Sequence, residues 1–323
     1  MLKSVTVINY KGEKTVIELG NPEKSGFLIT EIEGLGPGKA TINMTEISSY
    51  DGAVYNSSRL PARNITISFR YLWADTIEEA RHSSYRVFPL RKKIKLIFET
   101  DERLAAIDGY VESNEPVIFD QASHTQVSII CEDPYFYSYE NEGKQSIVFG
   151  SSEPAFEFPF FSDPIEDTVT SVTLDGVVQE SLGGLVFGRI SKVNNVDCYY
   201  TGDVDTGFDL YLRASTGITG LVLSKIYDDT EPDTMTFNDS IIESSTGSPI
   251  VEGDLIHICT KKGSKRVELS RDGVVYNIMN SIGRNPKWLA LTPGNNTFSY
   301  STKSGLFSAQ DIRFVYQILY EGA

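Results

Sequence analysis

Cysteine, histidine and tryptophan are scarce, at three, three and two of 323 residues. Cys131, Cys198 and Cys259 are far apart, odd in number and set in apolar or strand-like stretches. Structural zinc needs closely spaced thiolate or imidazole pairs, and a disulfide scaffold needs a dense, even set. Neither organises this chain; buried free thiols made in a reducing cytosol are expected. No run approaches the roughly 18 consecutive apolar residues of a membrane-spanning helix. The opening Met1–Lys14 stretch lacks the apolar core of a secretory leader. Sequons at Asn43, Asn56, Asn64, Asn238 and Asn295 therefore carry no expectation of glycosylation.

Positive charge is also short. Lys and Arg number 29 against 44 Asp and Glu, a net charge of -15. Binding nucleic acid requires a cationic track that releases counterions, so specific DNA or RNA binding is not expected. An anionic membrane surface is disfavoured in the same way. Acidity suits a protein that lets DNA pass without holding it, although solubility alone also accounts for it. Residues 1–133 carry 15 basic and 19 acidic side chains, and residues 134–323 carry 14 and 25. That asymmetry, and a length beyond the usual domain of about 100–200 residues, argue for two units.

Catalytic constellations are missing as well. There is no GxSxG, P-loop or HExxH segment. Gly34-Leu35-Gly36-Pro37-Gly38 is no dinucleotide fingerprint, because Lys39 stands where the third glycine belongs and no helix follows. His82 lies on a helix, His124 in a polar turn, and His257 shares a strand face with Cys259. Two ligands do not make a metal site. The acidic run Asp228-Asp229-Thr230-Glu231-Pro232-Asp233 offers calcium-type oxygens, but its spacing matches no calcium loop and reads as a solvated hairpin tip. A glycosidase would need two convergent carboxylates, and no pair can be named. The expectation is a non-enzyme without cofactor or metal.

What is present is alternation. Short period-2 segments are separated by turn residues, the pattern of antiparallel sheet. Leu2–Asn9, Lys14–Leu19, Phe27–Ile32, Ala40–Ile47 and Arg63–Tyr71 read as strands. Asp75 is a candidate N-cap, with Glu78 completing a capping box. Ile77, Ala80, Ser84, Val87 and Phe88 then share a helix face, and Pro89 ends the helix. Lys93–Phe98, Ala105–Glu112 and Gln126–Cys131 return to strand. Glu132-Asp133-Pro134 marks a boundary, and Tyr135–Pro164 reads as a bridge containing at least one strand. Beyond it the chain reads as almost purely β, with a hairpin turn at Asp175-Gly176 and strands over Phe208–Ala214, Thr234–Asn238, Asp254–Thr260, Lys265–Ser270 and Asn296–Tyr300. Many short strands with regular turns argue a sandwich or jelly roll. Arg81, Arg86, Arg91, Lys92 and Lys93, with Lys95, form the one basic concentration: a solvated helix face or an interface between subunits. Trp288, Tyr199, Tyr200 and Tyr211 are candidate stacking platforms for a sugar, though strand aromatics more often fill cores.

The order of segments resembles the bacteriophage distal tail protein family. The likeness rests on Ile8-Asn9 with Gly12-Glu13, Ile32 to Gly36, Tyr50-Asp51-Gly52-Ala53, Leu60 to Ile67, the capped helix, Leu96 to Thr100, Ile107 to Val111 and Cys131 to Phe136. It continues in Asn194-Asn195, Gly202-Asp203-Val204, Gly253 to Ile258, Arg271-Asp272-Gly273, Leu291 to Phe298 and Tyr316 to Tyr320. The resemblance implies a mainly β protein. An N-terminal tail-tube-like β-barrel or sandwich with one α-helix would span 1–137, and a galectin-like β-sandwich (jelly roll) 138–323. It implies a hexameric ring at the distal end of a long non-contractile tail, in a virion assembled in the bacterial host cytoplasm. Its partners would be copies of itself, the major tail-tube protein, the tail-tip hub and a receptor-binding protein, with DNA passing through the channel and no membrane contact. A carbohydrate-binding module for host cell-wall glycans is the alternative.

Overall fold

The computed structural model describes residues 1–48, 51–72, 76–116, 124–140, 144–148, 152–153, 172–174, 177–179, 189–190, 195–227, 230–283, 286–305 and 312–323. The Asp175-Gly176 turn, Asp228 and Asp229 fall outside these residues.

The first ten strands are β1 (Ser4–Ile8), β2 (Lys14–Glu18), β3 (Phe27–Glu33), β4 (Thr41–Glu46), β5 (Ala53–Arg59), β6 (Arg63–Tyr71), β7 (Lys93–Glu99), β8 (Leu104–Pro116), β9 (His124–Cys131) and β10 (Phe136–Ser138). Most form one antiparallel sheet in the order β2-β1-β7-β8-β9-β6-β3, with β10 on β8. Alternation decides the inner face: Ile65, Ile67 and Phe69 of β6 are buried while Asn64 and Arg70 are exposed. They join Val5, Val7, Leu96, Phe98, Val127 and Ile129 in one core.

Of the two forms expected, barrel or sandwich, the described strands do not make a closed barrel. β2 and β3 approach within 8 Å at Cα, yet no ladder joins them. A 3-10 turn, Pro22–Lys24, fills the seam, and Pro22 has no N–H to offer a ladder.

Helix α1 (Ile77–Val87) lays Ala80, Ser84 and Phe88 on this core, with Phe88 stacked on Phe69 at 5.7 Å between ring centroids. The helix is capped by Thr76, whose hydroxyl accepts from Glu79 N–H at 3.2 Å; Asp75, the expected cap, lies outside the described residues. Both candidate caps have a glutamate three residues on, so the capping-box pattern fits twice.

The second half contributes β11 (Gln145–Val148), β12 (Ser152–Glu153), β13 (Val172–Leu174), β14 (Val177–Gln179), β15 (Arg189–Ile190), β16 (Asn195–Tyr200), β17 (Phe208–Arg213), β18 (Val222–Ile226), β19 (Asp233–Thr236), β20 (Leu255–Cys259), β21 (Arg266–Arg271), β22 (Val274–Asn277), β23 (Gly294–Ser301), β24 (Arg313–Tyr316) and β25 (Leu319–Tyr320). Two sheets, β11-β24-β17-β20-β21-β22 and β16-β23-β18-β19, enclose a second core including Leu210, Leu212, Leu223, Ile256, Ile258, Phe298 and Phe314. This is the expected β-sandwich. The expected strand of the bridge is β11, which is built into that sandwich as an edge.

One element was not anticipated. Helix α2 (Asp239–Thr246) interrupts the β pattern. The Asn238 side chain caps it by accepting from Ser240 and Ile241 N–H, and Gly247 ends it at φ 80°, a left-handed conformation that favours glycine.

Candidate functional site

β4 and β5 form a separate two-stranded arm between β3 and β6, joined to no third strand among the described residues. Every residue of both strands is exposed. The Ala40–Ile47 segment reads as a strand from its sequence, and β4 is that strand. In the structure Ile42, Met44, Val54 and Tyr55 all face solvent, and the cross-strand pair Met44 and Tyr55 is 57% and 58% exposed. Polar cross-strand bonds steady the ribbon, among them Asn43 Nδ2 to Ser57 Oγ at 3.0 Å and Asn56 Nδ2 to Thr45 Oγ1 at 2.6 Å. A lone two-stranded ribbon is marginal in water.

The basic residues gather where α1, the β1–β2 turn and the start of β7 meet. Lys92 Nζ lies 5.4 Å from the Tyr10 ring centroid, and Asn9 beside it donates to the Arg86 carbonyl at 3.2 Å. Arg91 donates its N–H to the Val111 carbonyl and sits at φ 60°. Lys93 is 3.5 Å from Asp108 and faces Tyr110 across the ladder. Tyr10, Tyr85, Leu90 and Tyr110 are exposed in this region. Arg81, farther up the helix, is half-buried, and its Nε has no hydrogen-bond partner. Lys95 is set apart, over the rings of Tyr137 and Tyr139.

A third feature joins the two cores. β25 pairs with β10, so Tyr320 is buried in the first core although it closes the second half of the chain. Arg63, only 6% exposed, ties this joint. Its Nε donates to Pro134 O at 2.6 Å, Nη1 to Gly34 O at 2.7 Å and Gly36 O at 2.6 Å, and Nη2 to Glu321 O at 2.6 Å. The guanidinium stacks on Phe136 at 4.7 Å, and burial holds its pKa below the usual arginine value. Gly34 is at φ 87°, and a Cβ there would run into the Asn64 carbonyl. On the other side Arg103 forks onto Asp203 at 2.9 and 3.3 Å and lies over Tyr320. The Tyr200 hydroxyl donates to Val204 O and accepts from Leu319 N–H, both at 2.9 Å. Its ring passes where a side chain on Gly202 would stand.

The outer face of the sandwich carries a polar ladder. Glu268, His257, Tyr211 and Arg313 are successive register partners across β21, β20, β17 and β24. Tyr211 and His257 stack at 4.5 Å, and Arg313 covers the Tyr211 ring at 5.2 Å. His257 Nε2 is 2.9 Å from Asp209 Oδ1, and its Nδ1 is 3.4 Å from Glu268. Burial raises the Asp209 carboxyl, but hydrogen bonds from Lys261 and His257 outweigh it and leave the pKa below the ordinary value. A depressed folded pKa stabilises above the unfolded value of about 3.9, and that contribution disappears as pH falls through the folded pKa. Asp209→Asn is therefore expected to flatten the loss of thermal stability between about pH 5 and 3 relative to the parent chain, measured by melting at each pH. A parent-like slope in the variant would refute this.

The remaining candidates do not converge. Tyr200 is buried, Tyr211 is covered by His257 and Arg313, and Trp288 packs on the core beneath Lys265. Tyr199 alone stands clear, at 69% exposure. His82 is exposed and makes an edge contact with Tyr85. Asp233 is bound by Lys287 at 2.7 Å and by the Tyr227 hydroxyl. Among the described residues no three His, Cys, Asp or Glu side chains could hold a metal ion. All three cysteines are free and buried, and desolvation raises Cys131 to about 12. No helix among the described residues is long and apolar enough to cross a membrane.

No protein-family model matches the sequence, and no curated protein does. Among solved structures, the phage SPP1 Dit protein (gp 19.1), a hub adsorption apparatus component of Gram-positive-infecting phages, aligns at a TM-score of 0.59 with 13% identity, over 98% of this chain and 99% of that one. A chain of the phage P2 baseplate aligns at 0.46 with 11% identity over 98% of each. From its first strand to β25, this chain is folded like a phage Dit protein.

Proposed function

We propose that this chain is a distal tail protein of a phage virion: a structural component, not an enzyme, that forms a hexameric ring at the end of a long non-contractile tail. The ring joins the tail tube to the tail-tip hub and presents a platform for receptor-binding proteins, while DNA passes through its channel. Residues 1–137 form the ring and residues 138–323 the outward sandwich. Assembly takes place in the host cytoplasm.

The reading is supported above all by a fold likeness to the SPP1 Dit protein that extends over 98% of this chain and 99% of that one. The exposed arm and cationic face add to it, because a closed ring of identical subunits needs two different surfaces on each copy. Arg81, Arg86, Arg91, Lys92 and Lys93 belong to one of them. Native mass spectrometry and electron microscopy of the purified chain test the assignment. The expected species is a ring of six copies of the 35.9 kDa chain. A strictly monomeric protein with no affinity for tube or hub proteins would remove it.

A further inference from the structure

The arm has a counterpart on its own chain. It presents Ile42, Met44, Val54 and Tyr55, with Ile47 just beyond β4. Glu46 and Asp51 stand near its tip, exposed and without a salt bridge among the described residues. The arm leaves the sheet between β3 and β6, at one end of the strand order; β2, β1 and β7 lie at the other. Beside them Tyr10 and Leu90, with Tyr110 of the adjoining β8, are exposed, and Arg86, Arg91 and Lys92 have no carboxylate partner among the described residues.

We propose that the arm of one copy docks on the Tyr10–Leu90–Tyr110 face of the next, its acidic tip set among Arg86, Arg91 and Lys92. This rests on the ring reading and names the surfaces that would close the ring. Three observations carry it. The ribbon exposes apolar side chains on strands that have no third neighbour, so a partner that buries them also stabilises the ribbon. The charges are opposite and locally uncompensated, on a chain whose net charge of -15 otherwise makes copies repel. Arg91 is held at φ 60°, a costly conformation for a non-glycine residue that persists where a site requires it. The two surfaces differ, so the contact is heterologous and can propagate into a closed ring. Cations beside aromatic rings also suit single-stranded nucleic acid, but the arm's matching charge and apolar content favour a second copy.

The test uses the full chain. Glu46→Lys and Lys92→Glu are each expected to weaken subunit association at least about tenfold, and the double variant to regain most of it, with unchanged melting of the protomer. A Val54→Cys, Leu90→Cys chain treated with a short bis-maleimide is expected to give covalent multimers, and each single variant none beyond a dimer, the native thiols being buried. Parent-strength rings in both charge variants, with no multimers from the cysteine pair, would overturn the docking and leave the ring reading standing. A parent chain that never oligomerises would overturn both. Saturable binding of a single-stranded DNA oligonucleotide at physiological salt, lost in Lys92→Glu, would assign the face to nucleic acid instead.

Discussion

Arg63→Ala is expected to cost about 3–5 kcal/mol of stability, the scale of stripping a buried charged group from its partners. Four carbonyls, of Gly34, Gly36, Pro134 and Glu321, lose their charged donor together; an acceptor left wholly unsatisfied costs about 1–3 kcal/mol, and these lie on exposed or half-buried residues that water can reach. Partial rehydration of the hole keeps the total below their sum. Stacking on Phe136 is lost as well. Arg63→Lys is expected to recover less than half, because an ammonium lacks the planar fork that reaches carbonyls on several sides at once. Urea unfolding of the three proteins measures this through the midpoint and slope. An alanine variant within about 1 kcal/mol of the parent would show that the carbonyl cage contributes little.

Tyr320→Ala is expected to cost about 2–4 kcal/mol and to separate unfolding into two transitions. The side chain fills the first core, under the Arg103 guanidinium at 4.4 Å, while its backbone continues from the second core through Ile318 and β24. Removing it empties a cavity in one unit and weakens the strand that ties it to the other. The loss is expected in the transition of the N-terminal unit, with the sandwich transition little changed. Differential scanning calorimetry separates the two outcomes. One cooperative transition at a lower temperature would mean that Arg103, Asp203 and Tyr200 hold the units together without Tyr320.

The sheets were legible because burial follows period 2. Arg63–Tyr71 and Asn296–Tyr300 read as strands from alternation alone, and the side chains that alternate inward are the buried ones. Helix α1 was legible from its apolar spacing, but its start was misplaced because Asp75 and Thr76 are both good caps. Helix α2 was not legible. Only Ile242 of its residues is buried, so it has no stripe to read. Its signals were the Asn238 cap and Gly247, and the Thr234–Asn238 strand reading ran over the first. The Ala40–Ile47 strand was legible and is β4, but its exposure was not, because alternation reports which side chains share a face and says nothing about whether another sheet covers it. The candidate site was legible only in part. The basic cluster was found because charge is visible in sequence, although Arg81 and Lys95 stand apart from the rest. Nothing in the sequence marks Arg63 apart from the Leu60 to Ile67 segment that contains it. Its ligands are main-chain carbonyls 27 to 258 residues away, and no side-chain pattern records them. The segments that carried the resemblance nevertheless meet there: Gly34 and Gly36, Arg63, Pro134 and the chain around Tyr320.

Because Tyr320 completes a core begun at Val5, the first unit cannot finish folding while it is being synthesised. After Phe136 has left the ribosome, 184 further residues must follow before Tyr320 arrives, about 10–40 s at bacterial elongation rates. Through that interval β10 lacks its partner strand and the carbonyl of Glu321 is not there for Arg63. A polypeptide that stops before Tyr320 lacks the strand that completes this core and stays in the unfinished state.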